Sequence, residues 1–416
     1  MNLKTKYFNY FKLYINDPLN KNSIFLILYS LTSAGFGFIF WILAAKLYPP
    51  EYVGISTALV SAMTLISTLS LLGLDQTTIR FIPEGNKSQI FSNSLIITFL
   101  SSLLLSIIFL LGVNIWSPQL IIAKEYPILF ILFVLFTSLT SISGISLVAL
   151  RKAKYYFVQG ILMSSRVIFL FLFMIFGVLG IFYAIGVSYL FALIFSLVIL
   201  FVVFKIQFKG INKEFLKKSF KYSTGTYIFG LFNSLPTLLL PILVLNILGP
   251  AATAYSYISF TIGSLIYIFP TSFGTSLFVE GSHGVSLKKN TLKSLISVFA
   301  ITTPLIIILY FFGGILLGLI GKNYSTSGIE LLKLIILSTY FVTICQLYYS
   351  IKKVQNDIKK LILVSGFNFI ALIILSYILM IKIGIMGIGY AWLIGYGLSN
   401  LLIAFIIKKE KWFNDK

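Results

Sequence analysis

Lys46-Leu47-Tyr48-Pro49-Pro50-Glu51-Tyr52-Val53-Gly54 opens the stretch that decides the fold. An apolar run follows to Leu74, and Asp75-Gln76-Thr77-Thr78-Ile79-Arg80-Phe81-Ile82-Pro83-Glu84 closes it. Two polar turns thus bracket one segment of membrane length. A weaker copy stands further on: Asn246-Ile247-Leu248-Gly249-Pro250, an apolar run, then Phe278-Val279-Glu280-Gly281. Pro50 and Pro250 lie 200 positions apart, and Glu84 and Glu280 lie 196 apart. The rest of the chain is organised around that duplication.

With 58% hydrophobic residues, 10% charged residues and a mean hydropathy of +1.00 over 416 residues, the composition excludes a soluble globular protein. The net charge of +21 would fit nucleic acid, but the lysines and arginines sit in short clusters between apolar runs. That is the distribution of a polytopic membrane protein facing anionic headgroups, so membrane lipids and not nucleic acid are the expected partners. One cysteine, Cys345, excludes an internal disulfide, and one histidine, His283, excludes a His-rich metal site. No metal and no cofactor is expected.

Residues 1–22 place Leu3, Tyr7, Phe11 and Tyr14 at helical spacing among lysines, which predicts a short interfacial amphipathic helix. Twelve apolar segments follow, at about 24–45, 53–73, 91–113, 128–149, 155–177, 181–204, 223–246, 254–277, 293–319, 331–350, 361–381 and 385–407. The uncharged stretch 167–204 divides at Gly177 and Gly180, because one helix of that length would run to roughly 60 Å, twice the hydrocarbon thickness. With the N-terminus inside, 26 lysines and arginines fall on the inner side and 4 on the outer, leaving Arg166 and Lys333 within helices. Both termini are therefore expected in the cytoplasm.

The basic segment 205–222 divides the helices six and six, giving an N-lobe over 23–204, a C-lobe over 223–407 and a tail over 408–416. Six is even, so the halves enter from the same side. The expected fold is all-α and polytopic: about twelve transmembrane helices in two parallel six-helix lobes around a central cleft. That architecture belongs to alternating-access carriers.

The turn Lys46–Gly54 and the later Gly73-Leu74-Asp75 with Ile79-Arg80-Phe81-Ile82-Pro83-Glu84 resemble the Wzx-type polysaccharide flippases. Their superfamily also holds the MATE drug exporters and the lipid II flippases. In the second copy Ser276 stands where the repeat would place an arginine. The resemblance implies export of a polyprenyl- or dolichyl-linked oligosaccharide across the cytoplasmic membrane. A polysaccharide polymerase or glycosyltransferases would be its working partners. The Lys-, Ile-, Asn- and Phe-rich composition points to a prokaryote with an AT-rich genome.

Several polar residues fall where they could serve transport. Arg166 lies near the bilayer middle, where an arginine costs at least about 2.5–3.5 kcal/mol and must face the cleft or a neighbouring helix. Gln159 and Met163 share its helical face, and a pyrophosphate or acidic sugar is the natural partner of its planar cation. Arg80 and Glu84 stand one helical turn apart, with Asp75 a turn and a half earlier, and the three could make and break ion pairs as a gate; a local surface pair is the competing reading. Asn233 precedes Pro236 and Pro241, a pair that frees backbone carbonyls and permits a helix bend beside a ligand contact. Glu330 and Lys333 fit an interfacial position, and His283 a solvated loop.

No Asp or Glu lies deep in any of the twelve segments, which disfavours the alternative of a cation-coupled, MATE-like multidrug exporter. An enzyme would need paired carboxylates, a nucleotide loop or a nucleophile–base constellation, and the sequence offers none of these.

Overall fold

Helix boundaries follow local chemistry. Pro50, Pro127 and Pro250 each take the first position of a helix, where the missing N–H costs nothing. Gly249 supplies the φ of 87° that turns the chain into Pro250. The computed structural model describes residues 18–83, 85–283 and 286–410, so Glu84 and most of the amphipathic segment expected over 1–22 lie outside it.

Every regular element among the described residues is helical. Twelve helices of 20 to 33 residues are long and apolar enough to cross a membrane. They are α1 (Asn22–Leu47), α2 (Pro50–Ser70), α3 (Lys87–Trp116), α4 (Pro127–Ala149), α5 (Ala153–Leu172) and α6 (Val178–Val203), then α7 (Tyr222–Leu248), α8 (Pro250–Ser282), α9 (Leu287–Gly318), α10 (Lys322–Val354), α11 (Ile358–Ile383) and α12 (Met386–Lys409). The division expected in 167–204 falls at Gly177, whose φ of 56° ends one helical stretch before Val178 begins the next.

Contacts separate the chain into two compact units. Of the described residues, unit 1 comprises those within 1–43, 66–113 and 122–224, and unit 2 those within 44–65, 114–121 and 225–416. The main boundary, at 224/225, closes the basic segment 205–222. Residues 44–65 and 114–121 join the later unit, an exchange that the lobes 23–204 and 223–407 do not contain.

Unit 1 is held by close backbone approach and hydroxyl pairs. Gly186 of α6 lies against the ring of Phe133 of α4, where a Cβ would come within 2.3 Å. Ser143 and Ser196 pair at 2.7 Å, Thr78 and Ser94 at 3.1 Å, and Ser70 donates to Ser138 at 3.2 Å. In lipid, where apolar surface gives helices little drive to associate, each such bond contributes about 0.6 kcal/mol. Leu74, Phe91, Ile142, Leu147 and Leu200 fill the space between them. The segment 205–212 is strapped onto the start of α3. Gln207 N donates to Ser88 Oγ at 3.0 Å, Lys209 N to Ser92 Oγ at 2.9 Å and Asn212 N to Asn93 Oδ1 at 2.8 Å.

In unit 2 the two turns that opened the sequence meet. A Cβ on Gly54 would stand 1.9 Å from the carbonyl oxygen of Pro250, so only glycine admits this contact between α2 and α8. Asn246, from the second turn, donates to Trp116 O at 2.8 Å and accepts from Ser117 Oγ at 2.9 Å, which binds 114–121 to the same unit. Leu240, Val244, Leu331, Ile335, Leu372 and Trp392 form one core cluster; Phe229, Cys345, Tyr348, Tyr349 and Val364 form another. At one end of α10, the nearly buried Lys352 donates to Glu410 at 2.7 Å and to Gln355 at 2.8 Å. Lys360 joins by pairing with Asp357 at 2.7 Å and with Glu410.

Two helices expected to be continuous are interrupted. The segment expected over 155–177 breaks at Ser165 into Ala153–Ser164 and Arg166–Leu172. Ser164 and Ser165 turn their hydroxyls onto the Gly160 and Leu162 carbonyls, competing with the backbone ladder. The segment expected over 254–277 breaks at a 3-10 turn, Leu265–Tyr267. Pro270 follows three residues later and cannot supply the N–H that Ile266 O would accept. The helix Lys213–Leu248 runs without interruption through Pro236 and Pro241.

Candidate functional site

The interruption in α8 borders a cavity of 490 Å³ within unit 2, a size typical of small-molecule pockets at about 300–1,000 Å³. The 3-10 turn carries Tyr267 into its wall, where Ser338 Oγ pairs with the phenol at 2.6 Å and fixes the ring. Tyr257, Phe260, Trp392 and Tyr396 add further aromatic surface, with Phe260 and Trp392 edge-to-face at 5.1 Å.

The polar part of the wall comprises hydroxyls and amides, and among the described residues no charged side chain lines the cavity. Ser256, Ser264, Thr237 and Thr271 donate their hydroxyl protons to carbonyls of their own helices. Their oxygens remain as acceptors. The side-chain amides of Asn233 and Gln346 have no hydrogen-bond partner among the described residues, so each can offer both donors and an acceptor. Pro241, also in the wall, leaves the Thr237 carbonyl without its helical N–H.

The residues singled out from sequence fall into separate settings. Asn233 and Pro241 line this cavity; Pro236 is buried one turn from Asn233 and is not among the lining residues. Arg166 belongs to unit 1. It begins the helical piece after the Ser165 break, its guanidinium lies over the Phe40 ring at 5.4 Å, and its buried Nε has no hydrogen-bond partner. Gly37 makes the space, since a Cβ there would lie 3.0 Å from the guanidinium. Gln159 is 1% exposed and donates to Thr140 O at 3.0 Å, while its Oε1 has no partner. The structure therefore gives Gln159 and Arg166 different neighbours, although one helical face was expected to present both. Asp75 accepts from Gln76 at 2.9 Å, Arg80 is exposed, and Glu84 lies outside the described residues. Glu330 and Lys333 pair with each other at 2.8 Å.

Tyr267, Gln346 and Trp392 were not singled out from sequence. Pro270 was the available signal for Tyr267, since a proline inside an apolar run marks the preceding turn as a place where a helix breaks.

Comparison with known proteins places this geometry in context. Residues 19–278 match the family described as Polysaccharide biosynthesis protein. A Shigella flexneri protein named "Putative O-antigen transporter" is 24% identical over 212 residues, which are 48% of this chain and 50% of that protein. The chain thus matches about half the length of that curated relative. Among solved structures, the lipid II flippase MurJ in an inward closed conformation superposes with a TM-score of 0.76 at 16% identity, covering 92% of this chain and 87% of that one. An inward-facing multidrug resistance MATE family transporter of the MOP superfamily gives 0.73 at 15% identity, covering 92% and 95%. At such identities these likenesses establish the shared fold.

Proposed function

The chain belongs to the polysaccharide biosynthesis protein family, and on that premise we propose that it is a flippase for lipid-linked oligosaccharides. It carries polysaccharide repeat units across the cytoplasmic membrane by alternating access. The observation that carries this reading is the 490 Å³ cavity whose wall combines aromatic rings with hydroxyls and amides and holds no ionisable carboxylate. Sugars present ring C–H groups and hydroxyls, which match aromatic faces and neutral polar groups respectively. Such a protein makes and breaks no covalent bond in its cargo; it is a transporter and not an enzyme.

In this reading both termini face the cytoplasm, as the 26-to-4 distribution of basic residues supports. The polyprenyl or dolichyl tail stays in the bilayer while the headgroup crosses. Arg166, with an unsatisfied buried Nε, is the proposed ligand of the pyrophosphate. Asp75, Arg80 and Glu84 are the proposed gate, and a polymerase or glycosyltransferases the proposed neighbours. Outward movement of an anion in an inside-negative membrane is favourable by about 2.3 kcal/mol per charge per 100 mV, so the potential can drive the cycle.

The structural likeness to a multidrug resistance transporter supports a second reading, export of organic cations. A cation would seek a carboxylate, which the cavity lacks. The deciding experiment is flipping of a fluorescent polyprenyl-pyrophosphate oligosaccharide in proteoliposomes. Flipping by the wild-type protein supports the flippase. Absence of flipping, together with proton- or sodium-driven efflux of an organic cation, assigns the chain to the second reading.

A further inference from the structure

We propose that the cavity of unit 2 is a subsite for uncharged sugar residues, read by Asn233 and Gln346, and that it discriminates against acidic sugars. The proposal rests on the flippase reading and names the class of headgroup that this part of the protein accepts.

What the wall can exchange decides what it accepts. Four of its hydroxyls already donate to their own helices and can only accept. Carboxylates and phosphates are acceptors as well, so those oxygens would repel them. The donors open to an anion are all neutral, two side-chain amides and the Ser61 and Thr261 hydroxyls, with no lysine or arginine among the described wall residues to compensate the charge. A charged sugar would lose its hydration in return for few charge-assisted bonds. A neutral sugar hydroxyl both donates and accepts, and therefore suits a wall of acceptors with two bifunctional amides. An organic cation also finds no carboxylate there, although the aromatic faces would attract it weakly.

The geometry further separates the tasks of the wall residues. Tyr267 is held by Ser338, and Trp392 is 1% exposed and packed against Phe260; these rings are fixed surfaces. Fixed rings favour flat, apolar sugar faces without a large ordering cost on binding. Asn233, on α7, and Gln346, on α10, are the two side-chain amides of the wall, each with both donors and an acceptor open, so they set which hydroxyls fit. They are specificity-determining residues, and truncating either removes hydrogen bonds that the rings cannot replace.

Trp392 provides the readout. Purified protein in nanodiscs of zwitterionic lipid is titrated with maltotriose and, separately, with trigalacturonic acid, following tryptophan emission. Trp392→Phe identifies the responding ring. We expect saturable quenching by maltotriose and at least about tenfold weaker binding of the acid, about 1.4 kcal/mol. Asn233→Leu and Gln346→Leu each weaken maltotriose by about tenfold, while the thermal midpoint stays at the wild-type value. The proposal is overturned if trigalacturonate binds as well as maltotriose, if neither binds saturably, or if both leucine variants bind maltotriose as the wild type does.

A parallel flipping assay separates the subsite from the function. Flipping that persists unchanged in both leucine variants removes the subsite and keeps the flippase. Failure of the wild-type protein to flip, with efflux of an organic cation in its place, removes the reading on which the subsite rests.

Discussion

Arg166 in unit 1 and the cavity in unit 2 use the same device for opposite chemistry. Each stands where a membrane helix is interrupted, at Ser165 in one case and at 265–267 in the other. The causes differ, a pair of serines competing with the ladder against a proline that withholds an N–H. The surroundings differ more. A cation has been fitted into a close niche made by Gly37 and the Phe40 ring, with one donor unsatisfied. Neutral amides and hydroxyls have been left around an open volume. Burying a charge is expensive enough to require a tailored enclosure, whereas neutral polar groups tolerate an unfilled space. The comparison teaches that ligand chemistry can be read from how tightly the protein encloses each polar group.

The most disruptive test is Gly54→Leu. The Cβ alone would stand 1.9 Å from Pro250 O, and overpacking of about 1–3 kcal/mol or more should abolish flipping and lower the thermal midpoint. If flipping survived, the tight contact between α2 and α8 would not be part of the working protein. Next in size, Arg166→Ala should reduce flipping of a pyrophosphate-linked substrate about 10- to 100-fold, the loss of a charged hydrogen bond of about 1.5–3 kcal/mol. Maltotriose quenching of Trp392 should not change. A fall in both signals would dissolve the contrast between a charged and an uncharged site.

A smaller effect is expected at the corner of α10 and α11. Glu410→Gln leaves Lys352 buried without its carboxylate, so stability should fall, read as a lower thermal midpoint, by less than the about 3–5 kcal/mol of a fully buried pair because Glu410 keeps access to water. The same corner should respond to pH. Burial raises the Glu410 carboxyl, but hydrogen bonds from Lys352 and Lys360 outweigh it and hold the group below its ordinary range. The hydrogen bond from Lys360 does the same for Asp357. Carboxyls lowered on folding contribute stability that is present at neutral pH and lost as pH falls through their folded-state values. Melting curves from neutral pH into the acid range should show that loss, and it should shrink in the Glu410→Gln protein. Smallest of all, Ser143→Ala removes one bond to Ser196 and should cost about 0.6 kcal/mol, with flipping unaltered.

The fold was legible because membrane insertion is governed by length and hydropathy, which the chain displays directly. Twelve apolar runs became twelve helices, and Gly177 ended a helix in the stretch chosen on length alone. The site was less legible. Arg166 and Asn233 stood out as polar residues in apolar runs, yet an arginine and an asparagine in sequence do not disclose which helices will surround them. Tyr267 and Trp392 were hidden among 24 tyrosines and 4 tryptophans, most of which the same apolar runs would hold for packing. Residues 44–65 belong to unit 2, where the Pro250 carbonyl lies against Gly54, a contact that helical periodicity does not encode.

The strap over 205–212 bears on proteolysis. By composition it is an open lysine-bearing connection that trypsin should cut at Lys205 and Lys209. Its backbone, however, is pinned at 207, 209 and 212 by side chains from the start of α3, and a protease needs the peptide extended and free in its own groove. Nicking at these lysines therefore requires the strap to lift first. The rate of cutting at these two lysines, followed with and without substrate, is a clock for how often the segment lets go of α3 during transport.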